Sequence, residues 1–383
     1  MRFEFATSNR ILFGPGTCKE VPALAAMQGQ HALMVTDSIE RSETLLRGLL
    51  EQGLSVNVFI VDKEPDLETV SLATRKAQEA HCQLVIGFGG GSALDTGKAC
   101  AALMNNPGNL LDYLELIGTG RTLENPSAPY IAIPTTAGTG SEVTRNAVIS
   151  IPEKRVKVSL RSPFLLPKIA VIDPELTYSL PPSISASTGM DALTQLIEPF
   201  VCNSPTPLTD ALCRDGIARA ARAIRVVYEN GMDTTARQDM ALASLFGGMA
   251  LANARLGGVH GMANLIGGMS SAPHGAVCAR LLPLVMETNL HALRTRQPDS
   301  PFIERYGEAA RLLTGDKNAN ADDGTIWIKE LCQSLDILPL KEYGLNPEDF
   351  PALVELSQKA SSMKGNPITL TDTELMTILV NAV

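Results

Sequence analysis

Paired cysteine is missing from this chain, and histidine is scarce. The seven cysteines, Cys18, Cys82, Cys100, Cys202, Cys213, Cys278 and Cys332, form no CxxC pair, and their number is odd. That pattern offers no CxxC metal or redox motif, and buried thiols in a reducing compartment are the preferred reading. No apolar run reaches membrane-spanning length, and Met1-Arg2-Phe3-Glu4-Phe5-Ala6 has no signal-peptide pattern, so no membrane partner and a cytoplasmic location are expected. Positive charge is in deficit: the net charge is -9 and the pI about 5.2, which argues against a nucleic-acid partner. The chain also lacks internal repeats and low-complexity tails.

What is present suits a large two-core enzyme. With 383 residues, 45% of them hydrophobic, the chain is long enough to bury two cores. Up to about residue 177, apolar runs such as Ala32-Leu33-Met34-Val35, Val56-Asn57-Val58-Phe59-Ile60-Val61 and Leu84-Val85-Ile86 alternate with helical stretches. This alternation predicts an α/β domain with a parallel sheet over residues 1–177. Pro181-Pro182 marks a change, after which strand signals disappear and alanine- and leucine-rich helical periodicity dominates, around residues 210–228, 234–253 and 275–293. An all-helical domain is expected over residues 178–383.

The richest segment runs from Leu84 to Lys98. An apolar strand ending near Phe88 meets Gly89-Gly90-Gly91, and Ser92 with Asp95 three residues on gives a capping signal for the following helix. Such a loop exposes backbone N–H groups to an anion, as a pyrophosphate needs, although three glycines also suit a plain tight turn. A second loop of the same kind follows the strand Tyr130-Ile131-Ala132-Ile133: Pro134-Thr135-Thr136-Ala137-Gly138-Thr139-Gly140-Ser141-Glu142. Ligands of open α/β sheets bind at such strand ends. Asp37 closes the run Leu33-Met34-Val35-Thr36 one strand earlier. There a carboxylate can accept bonds from an adenosine ribose and repel a 2′-phosphate, which favours NAD(H) over NADP(H); equally, Asp37 can cap the helix starting near Ser38.

Taken with Asp95 and Lys98, these two loops resemble the iron-containing (group III) alcohol dehydrogenase family, of dehydroquinate-synthase-like fold. The resemblance extends in order through Asp173-Pro174-Glu175-Leu176, Thr188-Gly189-Met190-Asp191-Ala192-Leu193-Thr194, Val259-His260-Gly261-Met262 and Pro273-His274-Gly275, covering almost the whole chain. It implies NAD(H) bound by Asp37, Gly89, Gly90, Gly91, Ser92, Asp95, Thr135, Thr136, Thr139, Asn146 and Lys157. From sequence alone, Lys157 reads as a solvated charge beside Lys154 and Arg155.

By the same resemblance, Fe²⁺ or Zn²⁺ is expected at Asp191, His260, His274 and the position four after Asp191. That fourth position holds Gln195 where relatives carry histidine, and a neutral amide oxygen is a poorer donor than imidazole, so a weak or absent ion is expected. Asn264, four after His260, replaces another family histidine and cannot titrate. His31, His81 and His291 show no partner pattern and are read as structural. His260, His274 and Asn264 are the catalytic candidates. Hydride transfer between NAD(H) and a small alcohol or carbonyl substrate is expected, in a homodimer or higher homo-oligomer. The alternatives are a metal-free reductase of the maleylacetate reductase type, for which Arg255 offers a partner to an anionic substrate, and a non-catalytic cofactor-binding relative.

Overall fold

The computed structural model describes residues 2–114 and 117–383. They form two compact units. One contains Thr7–Thr136 and Gly140–Tyr178; the other contains Ala137–Thr139 and Ser179–Val383, with the residues before Thr7.

The first unit is built on eight strands: β1 (Arg10–Phe13), β2 (His31–Thr36), β3 (Ser55–Ile60), β4 (Leu84–Gly89), β5 (Tyr130–Pro134), β6 (Asn146–Ile151), β7 (Val156–Arg161) and β8 (Ile169–Ile172). Its helices are α1 (Val21–Ala26), α2 (Ile39–Glu51), α3 (Leu67–Glu79), α4 (Gly91–Asn105) and α5 (Leu110–Tyr113). Six strands make one parallel sheet in the order β1-β8-β5-β4-β2-β3. Every residue of β4 and β5 is buried, as a parallel strand covered on both faces requires. Alternate side chains divide between two cores: Ala32, Met34, Leu84 and Ile86 join one, and Leu33, Val35 and Val85 the other. From β2 the chain steps outward to β3 and then returns to place β4 on the opposite side of β2. That reversal is the switch point at which open α/β sheets bind ligands, and it sets the end of β2 beside the glycine loop.

Strands β6 and β7 form a separate antiparallel hairpin that the sequence reading did not anticipate. Its inward residues Ala147, Ile149, Val158 and Leu160 pack in a third core with Ala99, Ala102 and Leu103 of α4.

The second unit is helical: α6 (Pro182–Val201), α7 (Pro207–Glu229), α8 (Thr234–Asn253), α9 (Gly258–Met269), α10 (His274–Arg296), α11 (Pro301–Thr314), α12 (Ala321–Ser334), α13 (Phe350–Lys359) and α14 (Asp372–Ala382). They enclose a single core. Helix α6 is buried along most of its length, including Asp191, Gln195 and Glu198. Proline opens it, and Thr206 caps α7 with a reciprocal Thr209 bond. Among the described residues no helix is long and apolar enough to cross a membrane.

Candidate functional site

In the helical unit, three helices bring together four ligand-type side chains. Asp191 lies mid-way along α6, His260 in the first turn of α9, and His274 and Cys278 one turn apart at the start of α10. One potential ligand atom from each lies within 4.8 Å of all the others. Nε2 of His260 is 3.5 Å and Nε2 of His274 is 3.7 Å from Oδ1 of Asp191. Cys278 Sγ lies 3.6 Å from Nε2 of His274 and 3.9 Å from Nε2 of His260. Gly275 permits this approach, since a Cβ there would meet the Ser187 carbonyl of α6.

Glu198, two turns beyond Asp191 on α6, organises the first turn of α9. Its Oε1 accepts the Val259 N–H at 2.6 Å, and its Oε2 contacts the His260 backbone N–H at 3.4 Å and Nδ1 at 2.7 Å. Gly257 caps α9 without a side chain, so Glu198 supplies the missing acceptor at a helix N-terminus. The arrangement seats Nδ1 on Glu198 and turns Nε2 toward Asp191.

The electrostatics are strongly coupled. Burial opposes ionisation of Asp191, but the adjacent His274 and His260 outweigh it and hold the carboxyl below its ordinary range. Burial likewise opposes charge on the imidazoles; Cys278 and Asp191 prevail, raising His260 well above the usual histidine range and His274 above it. Asp191 Oδ1 and Gln195 Oε1 are buried with no hydrogen-bond partner. An unpaired buried carboxylate oxygen facing two imidazole nitrogens and a sulfur is a donor set suited to a divalent transition metal.

Gln195 stands one turn after Asp191, buried, with its amide beside that carboxyl. Asn264 lies one turn after His260 on α9 and is half-buried. Arg255 is exposed, with its guanidinium 3.5 Å from the Lys364 carbonyl. Neither Glu198 nor Cys278 figured in the sequence reading of the site, which treated all the cysteines as structural. For others that reading holds: burial pushes the Cys100 and Cys332 thiols up to about 12, and Cys332 Sγ bonds the Ala279 carbonyl, which Pro283 within α10 leaves without its helical donor.

The sheet unit gathers most of the expected dinucleotide residues. Strand β4 ends on Gly89 (φ 152°), Gly90 caps α4 with no side-chain hydrogen bond, and Gly91 begins the helix. The expected capping role of Ser92 and Asp95 is therefore corrected: both lie inside the first turns, and a glycine cap leaves the N-terminal N–H groups of α4 open to an anion. Asp95 is bound by its own fold instead, accepting from Ser141 Oγ at 2.5 Å and from the Val148 N–H at 2.9 Å.

Asp37 does not cap α2; Ser38 does, accepting from the Arg41 N–H. Asp37 Oδ2 accepts the Gly90 N–H at 2.9 Å, while Oδ1 pairs with Arg41 at 2.7 Å. The Thr135 N–H reaches the Gly89 carbonyl at 3.0 Å, and Thr136 flanks Gly90. Thr139 falls in the other unit. Asn146 opens β6, its carbonyl accepting from the fully buried Lys98. Lys157 on β7 is not the solvated charge its neighbours suggested: its side chain is 6% exposed and pairs with Glu64.

The chain matches known proteins over almost its whole length. Residues 8–174 match the model of the iron-containing alcohol dehydrogenase family, and residues 185–383 match that of the C-terminal domain of the Fe-containing alcohol dehydrogenase family. Alcohol dehydrogenase 4 of Saccharomyces cerevisiae is 35% identical over 379 residues, 97% of this chain and 96% of that protein. Among solved structures, a 1,3-propanediol oxidoreductase superposes with a TM-score of 0.92 at 33% identity, covering all of both chains. The sulfoacetaldehyde reductase of Bifidobacterium kashiwanohense, solved in complex with NAD⁺, gives 0.88 at 30% identity, covering 100% of this chain and 99% of that one.

Proposed function

The chain belongs to the iron-containing alcohol dehydrogenase family, and on that premise we propose that it transfers a hydride between NAD(H) and a small alcohol or aldehyde, with a divalent metal held by Asp191, His260 and His274. The observation that carries the reading is the unpaired, buried Oδ1 of Asp191 facing both imidazoles. Without an ion, that oxygen has only the two imidazole nitrogens, at 3.5 and 3.7 Å, too far for good hydrogen bonds, which disfavours the metal-free alternative.

When bound, such an ion acts as a Lewis acid that polarises the oxygen of an alcohol or carbonyl. The cofactor supplies or accepts the hydride. The chain's own residues do the rest. Glu198 fixes the aim of His260. The open N-terminus of α4, with Gly91 and Ser92, offers N–H donors to the pyrophosphate. Thr135 and Thr136 flank this loop, and the Asp37 carboxylate, one strand away, repels a 2′-phosphate and so favours NAD(H). Asn264 orients a polar group near the centre without itself exchanging a proton.

The test is metal analysis of the purified protein combined with NADH oxidation over a panel of short aldehydes. Turnover should disappear with a chelator and return when the metal is restored. Undiminished turnover in a metal-stripped protein, or in a folded Asp191→Asn variant, would refute the metal-dependent reading.

A further inference from the structure

Cys278 has no part in the site as the family resemblance draws it, yet it faces the same centre. Zinc bonds nitrogen and oxygen at about 2.0–2.1 Å and sulfur at about 2.3 Å, so a tetrahedral site separates its nitrogen and oxygen ligands by about 3.4 Å and sulfur from nitrogen by about 3.6 Å. The observed separations are 3.5 and 3.7 Å from Asp191 Oδ1 to the two imidazoles, and 3.6 and 3.9 Å from Cys278 Sγ to them. Four of the six edges of such a tetrahedron therefore already lie near zinc lengths, and the four ligand atoms all lie within 4.8 Å of one another. Cys278 is buried, and its spacing from His274 puts both on one face of α10.

A second observation concerns Gln195. Its amide lies beside Asp191 while its Oε1 is buried and unpaired, so the position where relatives carry an imidazole here supports the carboxylate and contributes no imidazole to the centre. Resting on the reading that this centre holds a metal, we propose that Cys278 is its fourth ligand. Its sulfur replaces the missing imidazole and makes the site prefer zinc or cobalt to Fe²⁺. Coordination forms a metal–sulfur bond and releases the thiol proton to water. Thiolate is a softer donor than carboxylate or imidazole, and both Co²⁺ and Zn²⁺ bind such sites more tightly than Fe²⁺.

The decisive measurements need no variant. The full-length protein loaded with one equivalent of Co²⁺ should show a thiolate-to-cobalt charge-transfer band in the near ultraviolet, and the zinc form should show a sulfur scatterer at about 2.3 Å by X-ray absorption. Cys278→Ser should abolish the band and weaken zinc binding by about tenfold or more, the scale on which single changes around metal sites are felt, while changing Fe²⁺ binding less. Stoichiometric metal with only nitrogen and oxygen neighbours, or a band that survives Cys278→Ser, overturns the sulfur ligand and leaves the metal reading intact. No bound metal in the loaded wild type overturns both.

Discussion

Replacing Gly89 and Gly90 separately by alanine should split folding from cofactor binding, although the two residues are neighbours. At Gly89, φ is 152° and an added Cβ would lie 2.8 Å from both Ala93 Cβ and Asp37 Oδ2. Backbone strain of about 1–3 kcal/mol and overpacking of about 1–3 kcal/mol then add, so Gly89→Ala should lose about 2–6 kcal/mol of stability. In a unit of this size that lowers Tm by about 4–24 °C. At Gly90, φ is -74° and ψ -174°, which any residue adopts, and a Cβ would meet nothing nearer than Thr136 Cγ2 at 3.6 Å. Gly90→Ala should therefore cost at most about 1 kcal/mol, the usual scale at a helix N-cap. The added carbon instead enters the space over the open N–H groups. A pyrophosphate bound there loses close approach, and NADH affinity should fall by about tenfold (about 1.4 kcal/mol) for alanine and further for valine. Thermal melting followed by fluorescence titration with NADH reads both effects. A folded Gly90→Val protein that binds NADH like wild type would show that the phosphates lie elsewhere.

In a Cys278→Ser background, Gln195→His should raise affinity for Fe²⁺ or Zn²⁺ by about tenfold or more by adding an imidazole next to Asp191; equal metal content and chelator sensitivity with and without it would mean that position 195 does not reach the ion. Glu142 is buried in the sheet unit, and burial pushes its carboxyl up to about 7 despite Lys98 nearby. Its folded pKa lies above its unfolded value, so the native state binds the proton more tightly and stability declines as pH rises from about 4.5 to about 7. Relative to Glu142→Gln, the wild type should lose stability across that window in denaturant titrations, and a flat difference curve would remove Glu142 from this account.

The parts of the structure visible in the sequence were those encoded locally. An apolar run ending in three glycines announces strand, loop and helix together, and β2, β4 and β5 appear where their runs predict. Asp95 was misread because its partners, Ser141 and Val148, lie 46 and 53 residues away, and local spacing could suggest only a cap. The hairpin of β6 and β7 was hidden because its strands bury only one face, against α4, and carry Lys157 and Arg161 on or beside the other. In the candidate metal centre, Glu198 had a signal: with Asp191 and Gln195 it places the three acidic or amide side chains of α6 on one face of the helix. Cys278 had one too, at helical spacing from His274, but a thiol in an apolar helix reads as packing until another helix brings imidazole to it.

The strand order of the sheet bears on how the chain is made. Among the described residues strand β1 pairs only with β8, Arg10 opposite Ile169 and Phe13 opposite Ile172, so it has no hydrogen-bonding neighbour until nearly the whole unit has been synthesised. Strands β2 to β5 can assemble as they emerge, each beside one already present. Closing the β1 edge must then overcome the entropy of a very long loop, which slows the last step and leaves β1 to wait as an unpaired segment during translation. The loops proposed to hold the nucleotide follow β4 and β5, inside the part that forms early, so a cofactor captured there by the nascent sheet would stabilise it before its edge is complete.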